Sequence, residues 1–572
     1  MIEDRNEAET QGIDRQSISA DRLIIAIGQI NPAVGDLDQN SDSIFDLCCQ
    51  ARDADLIVFP ELALVGYPPE DLILKPAFQQ AAEKALTRLA KRLGEVPDVP
   101  AALVGCCMME GEQIYNGMAL LEFGKVVAVR YKYDLPSYGV FDEARVFTPG
   151  PLPEPVVWRG ISLGLPICED IWSPQVCRHL GEAGAEIFLV ANGSPYEVNK
   201  EAVRQDLVQQ RVAECTVPMI YVNRCGGQDE LVFDGASFIV NSDGTIPVQM
   251  SHWSEGLTRT SWSRSRNGWV CAEDIRQPMQ TGIVGIYHAM MVGLRDYVNR
   301  NHFPGVIIGL SGGVDSALSA AVAVDAIGPD RVQCVMMPSC YTSKDSLDDA
   351  ADCARRLGVD LKTIAIGPAM DAFDTMLGPV FEGYASDITE ENIQSRIRGL
   401  ILMALSNKFG WMVLTTGNKS EISTGYATLY GDMCGGFNVL KDVYKSSVFE
   451  LCRWRNSHKP ENAKGPEKDV IPQRIITKPP SAELRPGQKD EDSLPPYKVL
   501  DAILMALVEA EEDGRALVER GFDPEVVTRV EQLLYISEYK RRQAPPGVKI
   551  SKRNFGRDRR YPITHGFRSL NG

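Results

Sequence analysis

Residues 306–328 read VIIGLSGGVDSALSAAVAVDAIG. VIIGL (306–310) is short, apolar and rich in β-branched residues, which suits a buried strand. SGGVDS (311–316) is a turn whose two glycines let the backbone approach a ligand closely. The alanine-rich stretch after it reads as a close-packed helix. A strand–turn–helix of this kind aims backbone N–H groups and a helix dipole at an anion. Ser311 and Ser316 add hydroxyl donors, and Asp315 is placed to hold a magnesium ion on the same phosphates. The turn lacks GK[ST], which excludes a kinase-like Walker loop.

Working outward, strands are expected at VQCVMMP (332–338), LKTIAI (361–366) and WMVLTT (411–416). An amphipathic helix should begin near Thr281, with Ile283, Ile286, Tyr287, Met290, Leu294 and Tyr297 on one face. This unit is an α/β domain with a parallel sheet. Upstream, short apolar runs alternate with helical stretches: LIIAIGQI (23–30), DLIVFPELAL (55–64), AALVGCCMM (101–109), ISLGLPICED (161–170), EIFLVANGS (186–194) and PMIYVNRCGG (218–227). Helical spacing marks 76–95 and 198–216, so this region too is a layered α/β domain. The expected organisation is a flexible tail over 1–20, one domain over 21–250, a linker over 251–280 and a second domain over 281–572. Within the last, 457–496 is dense in Pro, Lys and Glu and reads as a long mobile loop.

The chain has 572 residues, 77 acidic against 59 basic, for a net charge of -18. That excess argues against broad binding to nucleic acid or anionic membranes. No apolar run approaches the roughly 18 residues of a membrane span, and the polar start MIEDRNEAETQG has no signal-peptide core. The chain is therefore expected in the cytoplasm, with its 14 cysteines reduced. The six histidines are scattered and no CxxC occurs, which argues against zinc.

Most of those cysteines suit an inert core, and Cys168 stands apart. It lies in LPICEDIW, after an apolar strand, where a tight turn presents sulfur at a sheet edge. A thiol there needs a base to become a nucleophile. Glu61 ends another strand in VFPELALVGYPPEDL, and Lys132 lies in RYKYDLPSYGVFDEARVF. A carboxylate can serve as the base, and an ammonium can steady the oxyanion of a tetrahedral intermediate.

These three contexts, with IAIGQINPAVGDLDQN, resemble the nitrilase (carbon–nitrogen hydrolase) superfamily over about residues 21–250. The resemblance narrows to the amidase domain of glutamine-dependent NAD+ synthetases through LPSYGVFDEARVF (135–147), NGSPYE (192–197) and GGQDELVFDGAS (226–237). It implies an α-β-β-α sandwich with Glu61 as base, Lys132 as oxyanion stabiliser and Cys168 as nucleophile. It also implies that Tyr138, Ser194 and Lys200 contact glutamine.

The SGGVDS turn resembles the PP-loop of ATP pyrophosphatases, which implies a Rossmann-like sheet of the adenine nucleotide α-hydrolase type. On that resemblance ATP lies against Gly309, Leu310, Ser311, Gly312, Gly313, Val314, Asp315 and Ser316. ENIQSRIRG (391–399), TTGNKSEISTGYATLYGDMCGG (415–436) and PPSAELRPGQKDEDSLPPY (479–497) resemble NAD+ synthetases in turn. They imply Thr416 against ATP, Asn392 and Glu421 against deamido-NAD+, and Mg2+ on Asp315 and Glu421. Nine Lys or Arg and one acid, Asp558, crowd residues 540–560. Their match to the family's closing segment implies Lys540 on the dinucleotide.

The expected activity is amidation of deamido-NAD+ to NAD+ with glutamine and ATP, through an adenylate and an internal transfer of ammonia. The alternative is a PP-loop amidotransferase acting on another carboxylate or base, against which residues 391–436 argue. Expected partners are these small molecules and further copies of the chain, with no nucleic acid and no membrane.

Overall fold

Strand Arg22–Gln29 sends Leu23, Ile25 and Ile27 to one face and Ala26 to the other. Successive strand residues face opposite ways, so the run is clamped between two apolar layers. The structure is a computed structural model that describes residues 21–266 and 268–567. The tail expected over 1–20 lies outside the described residues.

The first sheet has seven strands, in the order Gly268–Cys271, Gly256–Ser265, Arg22–Gln29, Leu56–Val58, Ala101–Glu110, Gln113–Glu122 and Lys125–Tyr131. A second seven-stranded sheet runs Ile275–Arg276, Val248–Gln249, Phe238–Val240, Met219–Asn223, Ile187–Asn192, Ile161–Gly164 and Val156–Trp158. One apolar layer joins them: Ile25, Ile27, Val58 and Leu103 meet Leu163, Leu189, Ile220 and Ile239. On the outer face of the first sheet lie helices Leu37–Gln50 and Pro76–Gly94. The latter starts on Pro76, whose missing N–H costs nothing there, and buries Ala82, Ala85, Leu86, Leu89, Ala90 and Leu93 at helical spacing. Helices Pro174–Glu182 and Lys200–Cys215 cover the second sheet through Val176, Leu180, Val208 and Val212 against Phe188, Val190 and Tyr221. The layers are α-β-β-α, the expected sandwich.

One expectation is corrected. The span read as a linker, 251–280, contains strand Gly256–Ser265, which pairs antiparallel with all of Arg22–Gln29. Its interior side is carried by Thr260 and Trp262, whose polar groups are satisfied in place. Thr260 Oγ1 donates to Ile25 O at 2.7 Å, and Trp262 Nε1 donates to Thr260 Oγ1 at 2.9 Å. Strand Gly268–Cys271 then pairs with it through Trp262 and Cys271. The sheet is closed by residues whose polarity suggests a surface segment.

Helix Gly282–Arg300 opens the second domain and packs on helix Val314–Ile327. The sheet behind them has five parallel strands, ordered Asp360–Thr363, Val332–Met336, Val306–Gly309, Met412–Thr415 and Phe437–Asn438. Strand order reverses beside Val306–Gly309, so the crevice at its carboxyl end is the switch point where such sheets bind ligands. The SGGVDS turn sits there. Residues 457–496 are not loop throughout: helix Gln473–Thr477 buries Ile475 and Ile476, and Val470 and Ile471 join the same core. Helices Tyr497–Val508, Gly514–Glu519 and Pro524–Ile536 share a smaller core with Ile422, Tyr444 and Phe555.

Candidate functional site

Cys168 follows strand Ile161–Gly164 and opens a single 3-10 turn with φ +46°. A left-handed backbone at a non-glycine residue costs about 1–3 kcal/mol and persists only where its surroundings enforce it. Asp170 provides that enforcement. One carboxylate oxygen accepts Ile167 N at 2.9 Å, and the other accepts Tyr133 N at 3.0 Å and Asp134 N at 2.8 Å. The turn holding Cys168 and the loop leaving Lys132 are thus tied to one side chain.

Lys132 is wholly buried and its Nζ lies 2.7 Å from Glu61 Oε1 and 2.9 Å from both oxygens of Glu143. Glu61 is fixed further by Asn116 Nδ2 at 2.7 Å and Gly193 N at 2.8 Å. Tyr67 OH donates to Glu143 at 2.8 Å. Burial works against the Lys132 ammonium, but Glu143 and Glu61 outweigh it and hold it well above the ordinary lysine value. Burial raises Glu143 above the usual carboxylate range, against the pull of Lys132. Burial and then the Glu61 carboxylate push the Cys168 thiol well up. The sulfur therefore rests as a thiol, and a carboxylate anchored beside it can take its proton.

The structure brings Glu61, Lys132 and Cys168 together, with Tyr138, Ser194 and Lys200 around them. Tyr138 OH donates to Glu169, the neighbour of Cys168, at 2.9 Å and 3.0 Å. Ser194 follows Gly193, and its N donates to Asn223 Oδ1 at 3.0 Å. Lys200 Nζ lies 5.7 Å from the Phe141 ring centre, and burial lowers its proton affinity. Sequence reading passed over Asn116, Tyr67 and Glu143. The last stands in the quoted DEAR stretch, where nothing decides between two adjacent acids.

In the second domain the SGGVDS turn closes on itself. Ser311 N donates to Ser316 Oγ at 3.2 Å, Gly313 N to Ser311 Oγ at 3.2 Å, and Ser316 Oγ to Gly313 O at 3.0 Å. Gly312 has φ +78°, and a Cβ there would lie 2.3 Å from Ser346 O, so no other residue fits. Gly309, Leu310, Ser311, Gly313, Val314, Asp315, Ser316, Thr416 and Glu421 all line one cavity of about 580 Å³. That is ample for a nucleotide.

On its wall, Lys445 Nζ bridges Asp315 and Glu421, the latter at 2.9 Å. Asn418 Nδ2 steadies Asp315 at 2.9 Å. Burial pushes Glu421 up to about 7 against the Lys445 charge. Magnesium is commonly held by one or two carboxylates plus substrate phosphates, and Asp315 with Glu421 fits that donor set. Among the described residues no cluster of three or more His, Cys, Asp or Glu could hold a metal, so phosphate oxygens and water would complete any shell. Lys445 and Asn418, like Arg398 and Asp432 in the cavity lining, were not anticipated from the sequence.

Asn392 and Lys540 do not reach this cavity. Lys540 Nζ donates to Gly425 O and Ala427 O, each at 2.7 Å, and Asn392 accepts from Thr428 Oγ1 at 2.9 Å. Both pin the loop that leads to Asp432 in the cavity wall. Most of the basic segment after Lys540 also turns elsewhere. Arg541 and Arg559 pair with Glu538, Lys549 with Glu197, and Arg557 with Glu70.

Residues 24–266 match the carbon–nitrogen hydrolase family and residues 286–544 match the NAD synthase family. The glutamine-dependent NAD+ synthetase of Rhodobacter capsulatus is 48% identical over 553 residues, covering 96% of this chain and 99% of its own length. That of Acinetobacter baylyi is 45% identical, covering 95% and 98%. Among solved structures, the glutamine-dependent NAD+ synthetase of Acinetobacter baumannii in complex with ADP aligns with a TM-score of 0.75 at 43% identity, over 95% of this chain and 98% of that one. With both domains matched and relatives similar from end to end, the chain belongs to the glutamine-dependent NAD+ synthetase family.

Proposed function

We propose that the chain converts deamido-NAD+ to NAD+, taking nitrogen from glutamine and energy from ATP. The observation that carries this reading is the closure of buried Lys132 on Glu61 and Glu143 beside Cys168, in one chain with the SGGVDS cavity.

At the first site, Glu61 takes the Cys168 proton as sulfur attacks the glutamine side-chain carbonyl. The Lys132 ammonium faces the oxygen that gains charge, while Glu143 keeps that ammonium in place. As the C–N bond breaks, Glu61 returns the proton to the departing amine, leaving ammonia and a glutamyl thioester. Glu61 then deprotonates a water, which releases glutamate and restores the thiol. Tyr138, Ser194 and Lys200 hold the amino-acid end of glutamine.

At the second site, the SGGVDS amides and hydroxyls and Thr416 cradle ATP, and Lys445 draws its phosphates toward Asp315 and Glu421. Those two carboxylates would hold magnesium, which neutralises phosphate charge when bound. The nicotinate carboxylate attacks the α-phosphorus and pyrophosphate leaves. Ammonia then attacks the acyl carbon, AMP departs, and one proton is lost to give the amide. Adenylation is needed because a free carboxylate is a poor electrophile. Glu421 lies at the deamido-NAD+ end, and Asn392 and Lys540 shape it through the loop carrying Asp432.

A cytoplasmic setting is supported by the 14 free cysteines, and the absence of nucleic-acid partners by the net charge of -18. No described helix is long and apolar enough to cross a membrane. Self-association is supported by helices Gly367–Leu377 and Ile388–Phe409, where Met376, Ile388, Leu400, Met403 and Phe409 are exposed. The test is to supply purified protein with deamido-NAD+, ATP and either glutamine or ammonium. One NAD+, one AMP and one pyrophosphate per turnover are expected. ADP and phosphate as products, or no NAD+ from either donor, would refute the reading.

A further inference from the structure

The basic stretch after Lys540 belongs by sequence to the second domain, yet Lys549, Arg557 and Arg560 face the first. Lys549 N donates to Glu230 O at 2.8 Å, and Val198 N donates to Ile550 O at 3.0 Å. The Lys549 side chain is buried, with Nζ 3.2 Å from Glu197 Oε2. Arg557 pairs with Glu70, and Arg560 donates to Gly139 O at 3.2 Å.

Apart from the Glu230 hydrogen bond, these contacts fall on loops that supply the Cys168 site. Glu197 and Val198 lie on the loop that carries Gly193, whose N fixes Glu61, and Ser194. Gly139 adjoins Tyr138, which reaches Glu169 beside the sulfur. Glu70 stands three residues after Tyr67, which fixes Glu143. Three separate loops thus converge on the thiol from within and on one segment from without. The far side of that segment is rooted in the second domain, since Asp442 accepts Ile550 N at 2.7 Å and Ser551 N at 2.6 Å.

We infer that residues 549–560 form a collar by which the second domain positions the glutamine-binding loops of the first, with Lys549 as its principal positioning residue. This rests on the reading of Tyr138, Ser194 and Lys200 as glutamine contacts. A solvated basic tail would leave its charges in water, whereas Lys549 is only 3% exposed and already paired with a carboxylate of the loop it supports. Without its ammonium, the loop before helix Lys200–Cys215 loses its only ionic tie to the collar among the described residues. Cys168, Glu61 and Lys132 keep their own partners. The effect should therefore fall on substrate binding more than on turnover.

The test is steady-state kinetics on full-length variants with both nitrogen donors. Lys549→Met should raise the glutamine KM about tenfold, with kcat within about threefold and ammonium-supported NAD+ formation within about twofold of wild type. Lys549→Arg should recover most of the glutamine KM. Arg560→Ala removes only exposed contacts, to Gly139 O and within the segment to Arg557 O, so folding is not at stake, and should raise that KM about threefold. An unchanged glutamine KM in Arg560→Ala and in a folded Lys549→Met overturns the inference. So does a parallel loss with both donors that arginine fails to repair. If wild type itself releases no glutamate from glutamine, the functional reading fails first, which separates the two failures.

Discussion

Glu143 never touches the bond being broken, yet its removal should slow glutamine hydrolysis sharply. Lys132 Nζ stands 2.7 Å from Glu61 and 2.9 Å from both Glu143 oxygens, with no water access. The ammonium is shared between two carboxylates, and only Glu61 is asked to take a proton. Glu143→Gln keeps the shape and the Tyr67 hydrogen bond but removes one charge. Lys132 then draws wholly on Glu61, which becomes a weaker base. Two charges 4 Å apart interact by about 4 kcal/mol at an effective dielectric of 20. If roughly half to three-quarters of that reaches the base, the barrier rises by about 2–3 kcal/mol. Each 1.36 kcal/mol is a factor of ten, so kcat should fall by about 30- to 150-fold. Glutamine KM should stay within about threefold, because Tyr138, Ser194 and Lys200 are untouched. The assay is glutamate release under saturating glutamine, with ammonium-supported NAD+ formation as the folding control. A kcat within threefold of wild type, or an effect confined to KM, would refute the charge-sharing argument.

Removing the base exposes the thiol's own chemistry. Burial holds Cys168 well above an ordinary thiol, so its thiolate fraction grows tenfold per pH unit up to pH 9 and beyond. Iodoacetamide labelling of Glu61→Gln, followed by mass spectrometry, should rise about tenfold per unit from pH 7 to 9; a flat profile would mean a preformed thiolate. Lys445→Met leaves Asp315 and Glu421 facing each other without a cation, a change costing about 3–5 kcal/mol when a buried pair is broken. Its urea midpoint should drop and NAD+ formation with ammonium should fail, while glutamate release stays within about twofold; retained synthesis would remove Lys445 from the phosphate site. Thr260→Val strips the hydroxyl that joins Ile25 O to Trp262 Nε1 and should cost about 1–3 kcal/mol by denaturant unfolding. No change there would return residues 256–265 to a surface role.

The central strands of both domains and the PP-loop turn were legible because apolar runs such as 23–30 and 306–310 are long enough to have one reading. Strand Gly256–Ser265 was not, since its buried positions are filled by Thr260 and Trp262 among arginines and serines. Polarity outweighed the alternation that marks it. Glu61, Lys132 and Cys168 stand in distinctive contexts, but Asn116 and Glu143 act only through distances across the sandwich, which no spacing along the chain encodes. Lys445 escaped for the same reason: it meets Asp315 across 130 residues of chain. The basic segment was legible as charge and misread as to partner. A count of lysines and arginines says that anions are near without saying whether they are phosphates or Glu197, Glu70 and Glu538.

On this reading one chain holds two separable chemistries, joined by ammonia and by the collar of residues 549–560. The most direct measurement is NAD+ formation by Cys168→Ala, with glutamine and with ammonium as donors. Synthesis from glutamine should vanish, and synthesis from ammonium should continue at close to the wild-type rate, because the SGGVDS cavity and Lys445 are untouched. Loss of both in a folded variant, or survival of glutamine-dependent synthesis, would contradict it.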